Sequence, residues 1–280
     1  MSEPVVHSLH VHPVKSLAGC APGEAVVEPW GLAGDRRWAL VDASGTVLTQ
    51  RRHPRMAPAR AEPLPGGGIR LTAPGQEPLT VAVPEPRDTV VTDVFGDKVE
   101  AVPAEGPADD WFSTYLGAQV RLVHLDDPAH RRPLDPAYAR AGETVHFGDS
   151  SPLLLTTLAS LDALNSLIAQ GDHADEGPLP MTRFRPNVVV AGTAPWAEDG
   201  WRRIAIGGVT FRVTKPCGRC VITTTDQRTA ERGKEPLRTL ARHRRIGDRL
   251  AFGQYLVPEV PGPIRQGDAV TVLHDAPATP

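Results

Sequence analysis

Glycine and proline interrupt this chain so often that long regular elements have little room. Its 280 residues include 26 glycines and 29 prolines, about one residue in five. That is turn-rich, yet below the level at which disorder becomes the default. Between the interruptions the apolar pattern is mostly that of short strands. Val5, His7, Leu9 and Val11 alternate with Val6, Ser8 and His10, a period of two. Residues 38–42 and 46–49 flank Ala43-Ser44-Gly45 as a hairpin, and strand-like runs recur at 69–71, 79–83 and 89–94.

The second half alternates more. Leu158, Leu161, Leu164, Leu167 and Ile168 form a helical stripe with Thr157 placed as its N-cap. Residues 204–206 and 209–213 flank Gly207-Gly208 as a hairpin. Residues 187–191, 220–225, 255–257 and 269–273 read as strands. A helix is expected to start at Asp109 or Asp110, and another to run from about Pro236 to Arg245. The long polar stretch 126–151 reads as a lid or binding loop. Length predicts about two domains, and residues 101–109 are the best boundary. The expected fold is α+β and β-dominated: a barrel-like domain over 1–105, then a β-barrel with peripheral helices over 106–280.

A net charge of −3 leaves no global positive field for nucleic acid or an anionic membrane. No apolar run is long enough to span a bilayer as a helix. The first residues lack the basic and apolar regions of a signal peptide, and three cysteines cannot build a disulfide framework. A reducing cytoplasm is therefore expected. No Walker A, Gly-x-Gly-x-x-Gly, His-Glu-x-x-His or Gly-x-Ser-x-Gly motif occurs, which leaves nucleotide hydrolysis, Rossmann binding, zincin and α/β-hydrolase chemistry without support.

Cys217-Gly218-Arg219-Cys220 is the sharpest chemical feature. As a redox dithiol it would need a helix after the pair to stabilise a thiolate, and Val221-Ile222-Thr223-Thr224-Thr225 is a poor helix start. As structural zinc it lacks two further ligands. Both cysteines could be plain buried hydrophobes, or one could be a soft thiolate ligand to a cofactor metal. Spacing alone does not choose. Several cationic fragments lie near strand ends: Lys15-Ser16 in a chain with only four lysines, Asp35-Arg36-Arg37-Trp38, and Arg183-Phe184-Arg185-Pro186-Asn187. Each alone reads as a solvated charge or structural ion pair. Together they suit an anion, for which arginine offers bidentate geometry and lysine a point charge. Thr157, at a helix N-terminus, could join them or simply cap the helix.

With these fragments in hand, a family resemblance emerges. His12-Pro13-Val14-Lys15-Ser16, Gly34-Asp35-Arg36-Arg37-Trp38 and Thr49-Gln50-Arg51 resemble the N-terminal β-barrel domain of MOSC proteins. Phe184-Arg185-Pro186-Asn187, Cys217-Gly218-Arg219-Cys220-Val221-Ile222-Thr223-Thr224, Lys234-Glu235-Pro236-Leu237 and Phe252-Gly253-Gln254-Tyr255 resemble the MOSC domain itself. The resemblance covers nearly the whole chain in order. It implies a molybdenum–molybdopterin cofactor and reduction of N-hydroxylated compounds, as in the amidoxime-reducing members, and carries a general association with pyridoxal phosphate. By motif, Cys220 would ligate molybdenum and be the catalytic residue, while Lys15, Ser16, Arg36, Thr157, Arg185, Asn187, Arg219 and Tyr255 would hold the pterin and its phosphate. Cys217 would be a packing neighbour. Gly218 stands where relatives often have a polar residue. No cysteine follows Cys220, so no Fe–S cluster is expected in this chain. Electrons would come from a separate donor, a ferredoxin or flavin reductase. The alternatives are a non-catalytic carrier of the molybdenum cofactor or of sulfur, and a metal-free Cys-x-x-Cys dithiol oxidoreductase.

Overall fold

A computed structural model describes residues 3–275 apart from Arg87 and Glu105. Glu105, where the domain boundary was expected, thus lies outside the described residues. The fold is α+β and dominated by strands. The period-two pattern of the first strand becomes Val5–Leu9, which enters the largest sheet. Seven strands follow one another across that sheet: Val5–Leu9, Val188–Ala191, Leu153–Thr157, Arg249–Val260, Val209–Gly218, Trp201–Ile206 and Val270–Asp275. Only Leu153–Thr157 and Val188–Ala191 run parallel, and helix Leu158–Ala169 lies in their connection, as parallel neighbours require.

This sheet curls until its ends meet. Val5 bridges to Ala269, Val6 donates to Asp268 O at 2.9 Å, and Val270 donates to Pro4 O at 2.8 Å. The closure hides both edges and encloses a core that includes Leu9, Leu155, Val190, Ile204, Phe211 and Leu256. Strand pairing therefore crosses the boundary expected near residue 105, because the first strand sits among strands of the second half.

A second body forms around the strands Trp38–Val41, Arg121–His124, Asp97–Pro103 and Val90–Val94 and the three-stranded sheet Arg60–Pro63, Ile69–Ala73 and Gln76–Val81. Its core packs Trp38, Leu40, Met56, Leu71, Phe112 and Leu122. A third small sheet joins Glu24–Glu28 to Gly31–Leu32 and to Gly262–Arg265 from the far end of the chain.

Two local expectations change. The first helix runs Pro107–Leu116 and starts one turn earlier than the aspartates implied, with Gly106 at the N-cap and Pro107 behind it. Pro at the first helical position loses no hydrogen bond, and Asp109 instead accepts the amide of Leu122 at 2.8 Å. Residues 220–225 are not a strand. Val221–Thr224 is a 3₁₀ turn with Cys220 at its N-cap position. The threonines explain it: Thr223 Oγ1 donates to Cys220 O and Thr224 Oγ1 to Val221 O, both at 2.9 Å, and such local bonds compete with a ladder.

Gly253, inside the long strand Arg249–Val260, has φ +81°, and a Cβ there would meet Leu155 O at 2.6 Å. Gly253→Ala is expected to lose roughly 2–4 kcal/mol from backbone strain and the clash, read as a fall of several degrees in a thermal melt.

Candidate functional site

Where the curled sheet meets the second body, a narrow cleft opens. Strand ends and the turns after them supply its walls. Lys15 and Ser16 follow the first strand; Arg36 precedes Trp38–Val41; Arg185 and Asn187 precede Val188–Ala191; Arg219 and Cys220 follow Val209–Gly218; Tyr255 comes from Arg249–Val260. These eight of the nine sequence-derived residues line one space. Ser16, Arg36 and Arg185 also hold left-handed backbone, at φ 67°, 46° and 53°, a conformation that costs of order 1–3 kcal/mol for a non-glycine residue and tends to mark functional positions.

Thr157 is the exception. It caps the helix as expected, accepting from the amide of Ser160 at 3.2 Å, but its buried hydroxyl turns to Ser160 Oγ and Glu198 Oε2, and it does not line the cleft. It is withdrawn from the cofactor set. Asn187 lines the cleft, yet its amide is spent on the protein. Nδ2 donates to His10 O and Asp35 Oδ2, and Oδ1 accepts from Leu154 N and Arg36 Nη1. It positions Arg36 rather than offering a free donor.

Beneath the cleft lies Asp35, fully buried. It accepts from His12 N at 2.7 Å and Asn187 Nδ2 at 3.1 Å, pairs with Arg36, and meets His146 Nε2 at 3.1 Å. Burial would raise its carboxyl, but Arg36 and His146 outweigh that and hold it well below the usual carboxylate range. His146 also accepts the amide of Gly148 on Nδ1 at 2.8 Å. A Cβ at Gly148 would fall 2.5 Å from that ring, so glycine lets the loop pass close to the imidazole.

That loop brings Asp149 to the cleft mouth, where it pairs with Lys15 Nζ at 2.6 Å and Arg51 Nη2 at 2.7 Å. Desolvation is outweighed by these two cations, and the carboxyl stays well below its ordinary range. Arg51 and Asp149 were missed as site residues. Arg51 stood within a quoted motif, but Asp149 acts through partners 134 and 98 positions away and left no local signal.

The cations outnumber their partners. Arg51 Nη1, Arg185 Nη2 and Arg219 Nε are buried without a hydrogen-bond partner, although buried donors are nearly always satisfied. Burial pulls Lys15 down to about 8, only partly offset by Asp149, and burial and then Arg36 pull Arg185 down. Such a cradle is complete only with an anion in it. Two sulfurs face the same space. Cys217 Sγ accepts from Arg219 Nη1 at 2.7 Å and neighbours Tyr255, whose hydroxyl is pushed well up by burial and then by Cys217. Half-buried Cys220 lies beside Arg51 and Arg219. A soft sulfur among guanidiniums suits a thiolate ligand in an anionic cofactor. No cluster of three or more His, Cys, Asp or Glu able to hold a bare metal ion occurs among the described residues.

Residues 3–119 match the MOSC N-terminal beta barrel domain and residues 142–271 the MOSC domain. The chain is 32% identical to mitochondrial amidoxime-reducing component 1 of Homo sapiens, over 96% of this chain and 82% of that one. It is 31% identical to mitochondrial amidoxime reducing component 2 of Rattus norvegicus, over 96% and 83%. It is also 32% identical to the molybdenum cofactor sulfurase of Danio rerio, over 89% of this chain but only 31% of that one.

Two outcomes are expected. Asp35→Ala leaves Arg36 and His146 without their shared partner and should cost roughly 3–5 kcal/mol, measured by denaturant unfolding. Pyrophosphate binding to cofactor-free protein should weaken as pH rises through 8. Lys15 is about 8 when free, a bound anion favours its charged form, and binding above that pH must therefore take up a proton. Calorimetry from pH 7 to 9.5 should show affinity falling by up to about tenfold per pH unit, a dependence that Lys15→Met removes.

Proposed function

The chain belongs to the MOSC family through both of its domains, and on that premise we propose that it is a molybdenum-cofactor oxidoreductase that reduces N-hydroxylated compounds with electrons from a separate donor protein. The observation that carries this is Cys220 set between Arg51 and Arg219 above unsatisfied guanidinium donors. The residues fit the group. Cys220 would ligate the metal, while Lys15, Ser16, Arg36, Arg51, Arg185, Arg219 and Tyr255 would surround the pterin and its phosphate. When bound, that cofactor supplies the two-electron redox capacity.

The chain's own contribution is binding, orientation and charge. Asp35 and Asn187 fix Arg36, and Asp149 fixes Lys15 and Arg51, so the cradle is set before any ligand enters. Arg219 holds Cys217, and Cys220, beside Arg51 and Arg219, would be the sulfur that ligates. The net reaction takes an N–OH group, two electrons and two protons to N–H and water. Electrons come from the donor protein, a ferredoxin or flavin reductase in class. A reducing, cytoplasm-like compartment suits three cysteines that are all free thiols. Likeness to a molybdenum cofactor sulfurase favours a second reading, a carrier of the cofactor or of sulfur with the same site and no turnover.

The test is elemental analysis of protein from a cofactor-competent host. Wild type should hold near-stoichiometric molybdenum, Cys220→Ala almost none, and Cys217→Ser most of it. Full molybdenum in Cys220→Ala would overturn the ligand assignment. Stoichiometric molybdenum without reduction of any N-hydroxylated compound by reduced viologen dye would favour the carrier.

A further inference from the structure

Phe95 is an odd residue in an odd place. It sits with Gly96 in the two-residue turn between the strands Val90–Val94 and Asp97–Pro103, and both residues have positive φ, 58° and 97°. Such turns select Asn-Gly or Asp-Gly, and a bulky side chain at positive φ is an outlier that needs a reason. The turn itself does not supply one. It is already held by Asp93, which accepts the amide of Gly96 and the ammonium of Lys98, both at 2.8 Å. Nor is the ring part of a core, since 55% of the residue is exposed.

What the ring does touch is the cleft. Its centroid lies 4.9 Å from Lys15 Nζ and 4.8 Å from Arg51 Cζ, so an aromatic face covers two cations of the anion cradle. The turn is fixed there by Arg132, which pairs with Asp97 at 2.9 Å and also donates to His146 O, Gly148 O and Asp149 O. One guanidinium thus ties the turn that carries Phe95 to the loop that carries Asp149. Beside the turn opens a second cavity, lined by Leu48, Arg52, His53 and Asp93 among others, with Phe95 and Arg51 in its wall. Arg51 borders both spaces and also lies next to Cys220.

We infer that this second cavity is the substrate vestibule and that Phe95 is a specificity-determining residue, an aromatic platform that favours N-hydroxylated compounds whose N–O group is attached to a planar ring. The reacting end would pass Arg51 toward Cys220 while the ring lies against Phe95. This rests on the proposed reduction for its choice of probes, but not for its readout. The aromatics that line the cleft itself lie elsewhere: Phe184 stacks on Phe252 at 4.0 Å, and Tyr255 neighbours Cys217, whereas Phe95 faces the second cavity.

The test compares an aryl amidoxime with an alkyl amidoxime on the cofactor-loaded protein, wild type beside Phe95→Gly and Phe95→Trp, by calorimetric binding and by turnover. Glycine accepts the turn's positive φ, so the melting temperature of Phe95→Gly should not fall. Loss of stacking should weaken aryl binding and raise its KM by about five- to tenfold, with kcat little changed. The alkyl probe should lose distinctly less, and Phe95→Trp should keep the aryl preference. Equal losses on both probes would overturn the inference, because Phe95 would then act only as a clamp on Lys15 and Arg51. Equal binding of both probes by wild type would overturn it as well, while leaving the proposed reduction intact. Aryl binding that depends on Phe95 without any turnover would sustain the platform and count against the proposed reduction.

Discussion

The structure turns on a buried carboxylate. Asp35 gathers a backbone amide from residue 12, the guanidinium of Arg36, the amide of Asn187 and the imidazole of His146. Those partners belong to four separate stretches of chain, and each stretch delivers a residue to the cleft: Lys15 and Ser16, Arg36, Arg185, and Asp149. An uncompensated charge in that position would be very costly, so the four stretches assemble together or not at all. The mouth of the cleft repeats the device on a smaller scale, with Asp149 between Lys15 and Arg51.

This arrangement makes the cleft positive without letting it collapse. Two carboxylates neutralise part of the charge of five cations, and the remainder is left with unsatisfied donors. Left-handed backbone at Ser16, Arg36 and Arg185 is tolerated because surrounding contacts over-determine it: Ser16 O accepts Gln50 Nε2 and Arg185 Nη1 reaches Leu17 O, both at 2.7 Å. Stability is given up at these positions so that charge and sulfur converge.

Much of the scaffold was legible in the sequence because its strands carry the period of two and its turns carry glycine. The hairpin at Gly207-Gly208 and the strand before it appear where expected. Eight of the nine residues singled out in the sequence come together to line one cleft, because their motifs fall at strand ends and in the turns beside them. What failed did so for identifiable reasons. β-Branched composition at 220–225 spoke for a strand, but threonine hydroxyls bonding the preceding turn decided otherwise. Thr157 caps its helix as expected but lies outside the cleft, its hydroxyl turned to Ser160 and Glu198. Asp149 and Phe95 act through neighbours brought near only by the tertiary fold, and no window of sequence contains those pairs.

The closure of the large sheet bears on how the protein is made. Val5–Leu9 pairs with Val188–Ala191 on one side and touches residues 267–270 on the other. At ribosomal rates, roughly 10–40 s separate the synthesis of the first strand from that of its first partner. For that interval it is an open β-edge with nowhere to go, and the closing contacts come later still. The cleft draws its walls from residues as far apart as Lys15 and Tyr255, so it is complete only after nearly all of the chain has been made.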